Sequence, residues 1–146
     1  MRIGLIAVVG FAAAAASAQT PPVPPAGTVF GDWVVECEEV PGGKDRRCFL
    51  TQTQLVQNGE KRLLKLSVGH LGAAGEPVAV ADLPLGIDLR TGAALRLDEN
   101  PPMAMAMQRC LDDGCMAFMQ FDEVGLAALR SAQLVEIIVW PYAGRQ

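Results

Sequence analysis

The side chains able to do chemistry are few, and their spacing narrows what they can do. Cys37 and Cys48 bracket ten residues, and Cys110 and Cys115 bracket four, in the stretch RCLDDGC. A zinc site asks for C-x2-C pairs or a mixed Cys/His set, yet neither spacing fits and His70 is the sole histidine. A redox-active dithiol takes the form C-x-x-C near a helix start, and no such pair occurs. An even cysteine count in an exported chain implies disulfides. Four cysteines allow three pairings, and proximity favours Cys37–Cys48 and Cys110–Cys115. In a hairpin with a four-residue loop at 111–114, Cys110 and Cys115 oppose each other with Cα atoms about 4.5–5.5 Å apart, within disulfide reach. Asp112 and Asp113 suit that turn, and Gly114 can take the left-handed conformation that closes it.

Met103, Met105 and Met107 form the run MAMAM. On a strand the three thioethers share one face and Ala104 and Ala106 the other. Thioethers select Cu(I), so the row is a candidate copper face; equally it is an adaptable apolar face for packing or binding. Met116 and Met119 have opposite parity, so only one could join it. Hydrolytic chemistry finds little support. Ser67 and Ser131 are the serines beyond the N-terminal leader, neither lies in G-x-S-x-G, and Ser67 with His70 does not make a triad. Glu38-Glu39 and Asp112-Asp113 read as solvated acids. No glycine-rich phosphate loop or dinucleotide fingerprint is present, and no cofactor is expected.

The leader itself is MRIGLIAVVGFAAAAASAQTPP. One basic residue, an apolar run over 3–16 and the small-x-small site Ala16-Ser17-Ala18 give the layout of a signal peptide at 1–18, cut after Ala18. The run is shorter than the ~20 apolar residues of a membrane span. Loss of Arg2 makes the net charge one unit more negative than −4. Such an acidic chain, without a basic cluster, suits neither nucleic acid nor anionic lipid. The expected location is periplasmic or secreted, with no transmembrane segment after cleavage.

The elements that position these residues read mainly as strands. Residues 19–29 form a Pro-rich, extended, weakly ordered lead-in, and one domain follows over 30–146. In FGDWVVECEE, Trp33, Val35 and Cys37 alternate against Asp32, Glu36 and Glu38, the pattern of a half-buried antiparallel strand. PGGKDRR is a turn, CFLTQTQLV a strand, Asn58-Gly59 a hairpin turn and RLLKLSVG the returning strand. Residues 69–77 read as loop, and PVAVADLP as a strand stopped by Pro84. GIDLRTGAALRLDEN reads as a hairpin turning near Thr91-Gly92, and Pro101-Pro102 breaks the chain. MAMAMQRC and CMAFMQF are paired strands. FDEVGLAALRSA is the single helix candidate, with Asp122 as N-cap and Glu123 at the positive end of its dipole; Val124, Ala127 and Ala128 share a face, flanked by Leu126, Leu129 and Arg130. LVEIIVWPY is apolar on both faces, which predicts a central strand. The sum is an all-β, mainly antiparallel sandwich with one short helix and two disulfides.

The order of these motifs resembles the invasion-associated locus B family, exported proteins of Gram-negative bacteria. The resemblance covers roughly 29–142 and rests on F-G-D-W (Phe30, Gly31, Asp32, Trp33) with its following Cys, on P-x-G-x-x-L-x-x-G-x-x-L from Pro84 through Gly86 and Gly92 to Leu95, and on R-C-x-x-x-G-C-x-A from Arg109 through Gly114 to Ala117. No catalytic residue comes with these motifs, since cysteine, glycine, Trp and Pro read as staples, turns and core. Family members usually continue past the strand matching LVEIIVWPY, whereas this sequence stops at Gln146, and the resemblance then implies an uncovered edge or a smaller sheet. The resemblance implies an interaction protein, contacting another protein at the envelope or a host surface. The alternative from the residues alone is a copper or small-ligand binder using the Met103/Met105/Met107 face.

Overall fold

A computed structural model describes residues 22–40, 42–43, 46–56, 59–71 and 74–143. The signal peptide at 1–18 and Asn58 of the Asn58-Gly59 turn lie outside them. The elements are β1 (Val29–Phe30), β2 (Trp33–Glu39), β3 (Arg46–Leu55), β4 (Arg62–His70), β5 (Pro77–Leu83), β6 (Ala93–Leu97), β7 (Met103–Leu111), β8 (Gly114–Gln120), α1 (Glu123–Ser131) and β9 (Val135–Val139). They form one sheet in the order β1-β2-β3-β4-β5-β8-β7-β6-β9, with every ladder antiparallel. The all-β expectation holds in sandwich-like form: the sheet curls so that one face turns inward on itself.

Period-two alternation explains which face that is. Leu66, Ala79, Ala81, Leu83, Ala93, Leu95, Leu97, Met105, Cys115 and Ala117 all fall on the inner face and are buried together with Ile87 and Phe121. Small residues sit at the middle of the sheet and large ones opposite. Ala79, Ala81 and Ala117 leave room for Leu95 and Leu97, both almost wholly buried. Burying one leucine side chain stabilises by about 1.5–3 kcal/mol, so β6 anchors the core despite its five residues. In β2, Trp33 and Val35 face inward as their alternation predicts.

Several expectations need correction. The stretch 86–100 is not a hairpin, because only Ala93–Leu97 is a strand. Asp88 prevents a second one. Its Oδ1 accepts from the Arg90 amide, Thr91 Oγ1 donates to its Oδ2, and the Gly92 amide donates to its carbonyl, which closes a turn. The loop before β5 is shorter than 69–77, since Gly69 and His70 belong to β4 and Pro77 opens β5. The lead-in contributes structure, because the Gly27 amide donates to the Val35 carbonyl, Thr28 accepts from Val35, and Val29 lies in β1. The β7–β8 loop is two residues, Asp112 and Asp113, because Leu111 already pairs with Gly114. On α1 the packed residues are Leu126, Ala128 and Leu129, while Val124 is 77% exposed and Ala127 points to solvent. Asp122 does cap the helix, accepting from the Gly125 amide at 2.7 Å.

The largest correction is β9. It is an edge strand, paired only with β6, and every residue is half-buried. Its inner face packs on the core through Val135, Ile137 and Val139. Its other face carries Glu136, which accepts from Arg96 Nε at 2.6 Å, and Ile138 opposite Ala94. Apolar residues on both faces therefore reflect a boundary position rather than a central one.

Candidate functional site

The curl of the sheet does not close. Between the inner face of β2–β4 and the wall made by α1 and β9 lies a groove of about 680 Å3. Trp33, Leu50, Leu64, Leu66 and Val68 form its floor, and Leu126, Leu129, Ala132, Val135 and Ile137 its wall. Alternation puts the floor residues on one face: Trp33, Leu50, Leu64, Leu66 and Val68 all have the parity of buried Val35 through the cross-strand pairs Val35↔Leu50 and Leu50↔Val68. Gln52, Gln54 and Gln133 add amides, and Asp32, Arg130 and His70 lie around it. Phe30 and Leu134 stand more than half exposed there. Its volume falls within the range of small-ligand clefts, and its lining is mostly apolar with a few polar groups.

Asp98 fixes the wall. It holds the left-handed backbone at φ 51°, and its Oδ1 accepts from the amides of Gln133 and Leu134, each at 2.9 Å. The Asp98 amide donates to the Leu134 carbonyl. One side chain thus fastens the exit of α1 and the entry of β9 to the end of β6. Sequence reasoning missed it, because Asp98 stands in LDEN, a polar loop with nothing to mark its left-handed backbone.

The cysteines form the two local pairs. Cys37 bonds Cys48 and Cys110 bonds Cys115, with Cα separations of 4.1 and 3.9 Å, closer than expected for opposed strands. Each pair is also a register pair. The second one needs a device the sequence did not announce. Met107 pairs with Ala117, yet Arg109 pairs with Met116, so Gln108 is an extra, bulged residue. Odd-numbered Met103, Met105 and Met107 and even-numbered Cys110 thereby share the inner face. Gly114, at φ 148°, sits where the β8 backbone presses on β5: a Cβ there would run into the Leu83 carbonyl oxygen.

The methionines are part of the core. Met105 is buried, and Met103 and Met107 pack against it beside Leu95. Met119 joins them, while Met116 faces outward toward Arg62 and Arg109. Ser67 and His70 part company. Ser67 is buried on the outer face, sharing a hydrogen bond with Thr51, and exposed His70 contacts the Gly75 carbonyl through Nδ1. Of the other motif residues, Gly31 turns β1 into β2 at φ 60°, Pro84 ends β5, the Gly86 carbonyl accepts from the Tyr142 amide, and Gly92 is buried at φ 78°. Phe30, Asp32 and Trp33 meet at the groove; Pro84, Gly86, Gly92 and Gly114 do not.

Among ionisable groups, the Arg90 amide and Thr91 hydroxyl hold the Asp88 carboxyl below its ordinary value of 3.8. The Arg96 guanidinium lowers Glu136 and is itself raised by it. Both sites are structural and lie away from the groove.

The sequence profile of the family described as invasion associated locus B (IalB) protein matches residues 33–146. This chain belongs to the invasion-associated locus B family. Invasion protein B homologs of Brucella abortus, strain 2308 and biovar 1 strain 9-941, are each 30% identical over 109 residues, 74% of this chain and 61% of theirs. The chain thus spans about three-fifths of the length of these relatives. The crystal structure of invasion associated protein b from Bartonella henselae superposes with a TM-score of 0.65 at 23% identity, over 77% of this chain and 74% of that one. At that identity the likeness establishes the fold. The invasion-associated locus B relatives are named as invasion proteins rather than as enzymes. Two formed disulfides fit a periplasmic or extracellular member, and among the described residues no helix is long and apolar enough to cross a membrane.

Proposed function

We propose that this chain is an exported, non-catalytic binding protein that holds an apolar part of another protein, at the cell envelope or at a host surface. The observation that carries the reading is the open groove: apolar side chains from β2, β3 and β4 face α1 and β9 across a space that the chain's own described residues do not fill. Exposed apolar surface of this kind marks interaction sites. Family membership supports the reading, since the relatives bear the name of invasion proteins. The leader-like N-terminus and the disulfides support export.

A photo-crosslinking amino acid placed at Leu50, on the groove floor, tests this in intact cells and in cells presented to a host surface. Thr53, exposed on the opposite face of the same strand, is the control position. The expected result is one discrete protein adduct from position 50 and none from position 53. No adduct, or the same adducts from both positions, would remove the reading.

A further inference from the structure

We infer that the groove is a strand-addition site, taking an extended, uncharged, apolar segment of a partner polypeptide along the free edge of β9. The inference rests on the groove being the binding face proposed above and names the form of its occupant. Its first support is the hydrogen-bond phase of β9. In an antiparallel ladder, residues alternate between bonding their neighbour and pointing their backbone away. The Asp98 amide donates to the Leu134 carbonyl, and Leu97 pairs with Val135. Leu134, Glu136 and Ile138 therefore turn their backbone groups toward β6. Val135, Ile137 and Val139 turn theirs outward, where no described residue pairs with them.

The second support is where that edge lies. Val135 and Ile137 line the groove, whereas β6, on the other side of β9, contributes nothing to it. The unpaired donors and acceptors thus border the same apolar space that Trp33 and Leu50 face from the opposite side. A strand laid there would pair with β9 and present alternate side chains to that floor. An acyl chain would fill the space but leave the backbone groups unpaired. A helix would satisfy its own backbone and gain nothing from them.

Charge selects the occupant further. In a chain of net charge −4, the groove carries one acid, Asp32, and one base, Arg130, and its other polar groups are amides and the single imidazole. That lining complements an uncharged segment and neither attracts nor orients a charged one. The five residues of β9 span about 17 Å, so the paired part of the occupant is about five residues long.

The test uses the disulfide-bonded exported chain, an acetylated and amidated Thr-Val-Thr-Val-Thr-Val-Thr peptide, and the neutral dye N-phenyl-1-naphthylamine. Two further peptides are N-methylated at all Val or at all Thr, so that each lacks the donors along one edge. The expected result has three parts: the peptide binds saturably and displaces the dye; amide exchange at Val135, Ile137 and Val139 slows at least about tenfold; and one methylated peptide, not both, binds about tenfold more weakly. If the dye binds, and loses its site on Leu50→Glu, but the peptide does not bind or both methylated forms bind like the parent, strand addition is wrong and the groove reading stands. If neither dye nor peptide binds, both fall. Dimerisation of the protein through β9 that excludes the peptide would replace the partner with a second copy and overturn the inference.

Discussion

Asp98 and Gly114 show how much one residue decides here. The Asp98 carboxylate satisfies two backbone amides at the turn that carries the groove wall. Asp98→Ala should cost about 1–3 kcal/mol, and urea titration with amide exchange across Gln133 to Val139 will show whether β9 loosens before the remainder of the sheet. Uniform loss of protection across all strands would mean that Asp98 supports the whole core instead. Gly114 answers to two constraints, its backbone conformation and the Leu83 carbonyl. Gly114→Ala should therefore cost about 2–4 kcal/mol. At Gly86, which shares a positive φ but has open space around it, the same change should cost only about 1–2 kcal/mol. Equal losses at the two glycines, measured by chemical denaturation, would discard the close-approach account. The first-turn Asp122 cap was legible from sequence because Asp before an apolar-periodic run has one local use. Asp98 was not, because its partners lie 35 and 36 residues away.

At the scale of elements, the β7–β8 hairpin is the informative case. Two demands meet in it: three odd-numbered methionines must face inward, and so must Cys110. The extra residue Gln108 reconciles them. Deleting Gln108 should make the demands exclusive. Either two thiols per molecule titrate after unfolding, or the methionine packing is lost at a cost above about 2 kcal/mol. A deletion variant that keeps the disulfide and full stability would show that the bulge is dispensable. The short disulfide itself closes a small loop, so its entropic contribution is about 2 kcal/mol, with Cys37–Cys48 worth slightly more. Fixing register is the larger service, since a one-residue slip would turn the strand's inner side chains outward. Local spacing made both strands legible and favoured both staples among three possible pairings. It was silent on the bulge, because strand parity becomes visible only once a partner strand is in place.

For the whole molecule, acid stability follows from carboxylates that the fold holds charged. Asp88 and Glu136 are both lowered, from 3.8 and 4.5. A lowered folded value means that the stabilisation is fully present above the ordinary carboxylate value and disappears as pH falls through the folded one. The melting temperature should therefore fall as pH drops below about 4. Asp88→Asn and Glu136→Gln should melt below the wild type near neutrality and approach it in acid. A difference that is constant from pH 7 to pH 2 would assign the loss to packing instead.

The amino-acid sequence by itself determined what depends on neighbours along the chain: the alternation that makes strands, the Asp122 cap, and the motif order that marks the family; it favoured the local cysteine pairs, and the structure chose them. Tertiary structure decided what depends on distant partners. It placed β9 at an edge, because residues apolar on both faces suit a boundary as well as a centre and only the pairing order distinguishes them. It turned 88–92 into a turn held by Asp88, and put Leu126 and Leu129 rather than Val124 on the packed side of α1. It also made the groove, of which Trp33 and Leu50 were legible only as strand residues. A groove exists where the curl of a sheet fails to close, and that is set by the sum of strand pairings rather than by any one stretch of residues.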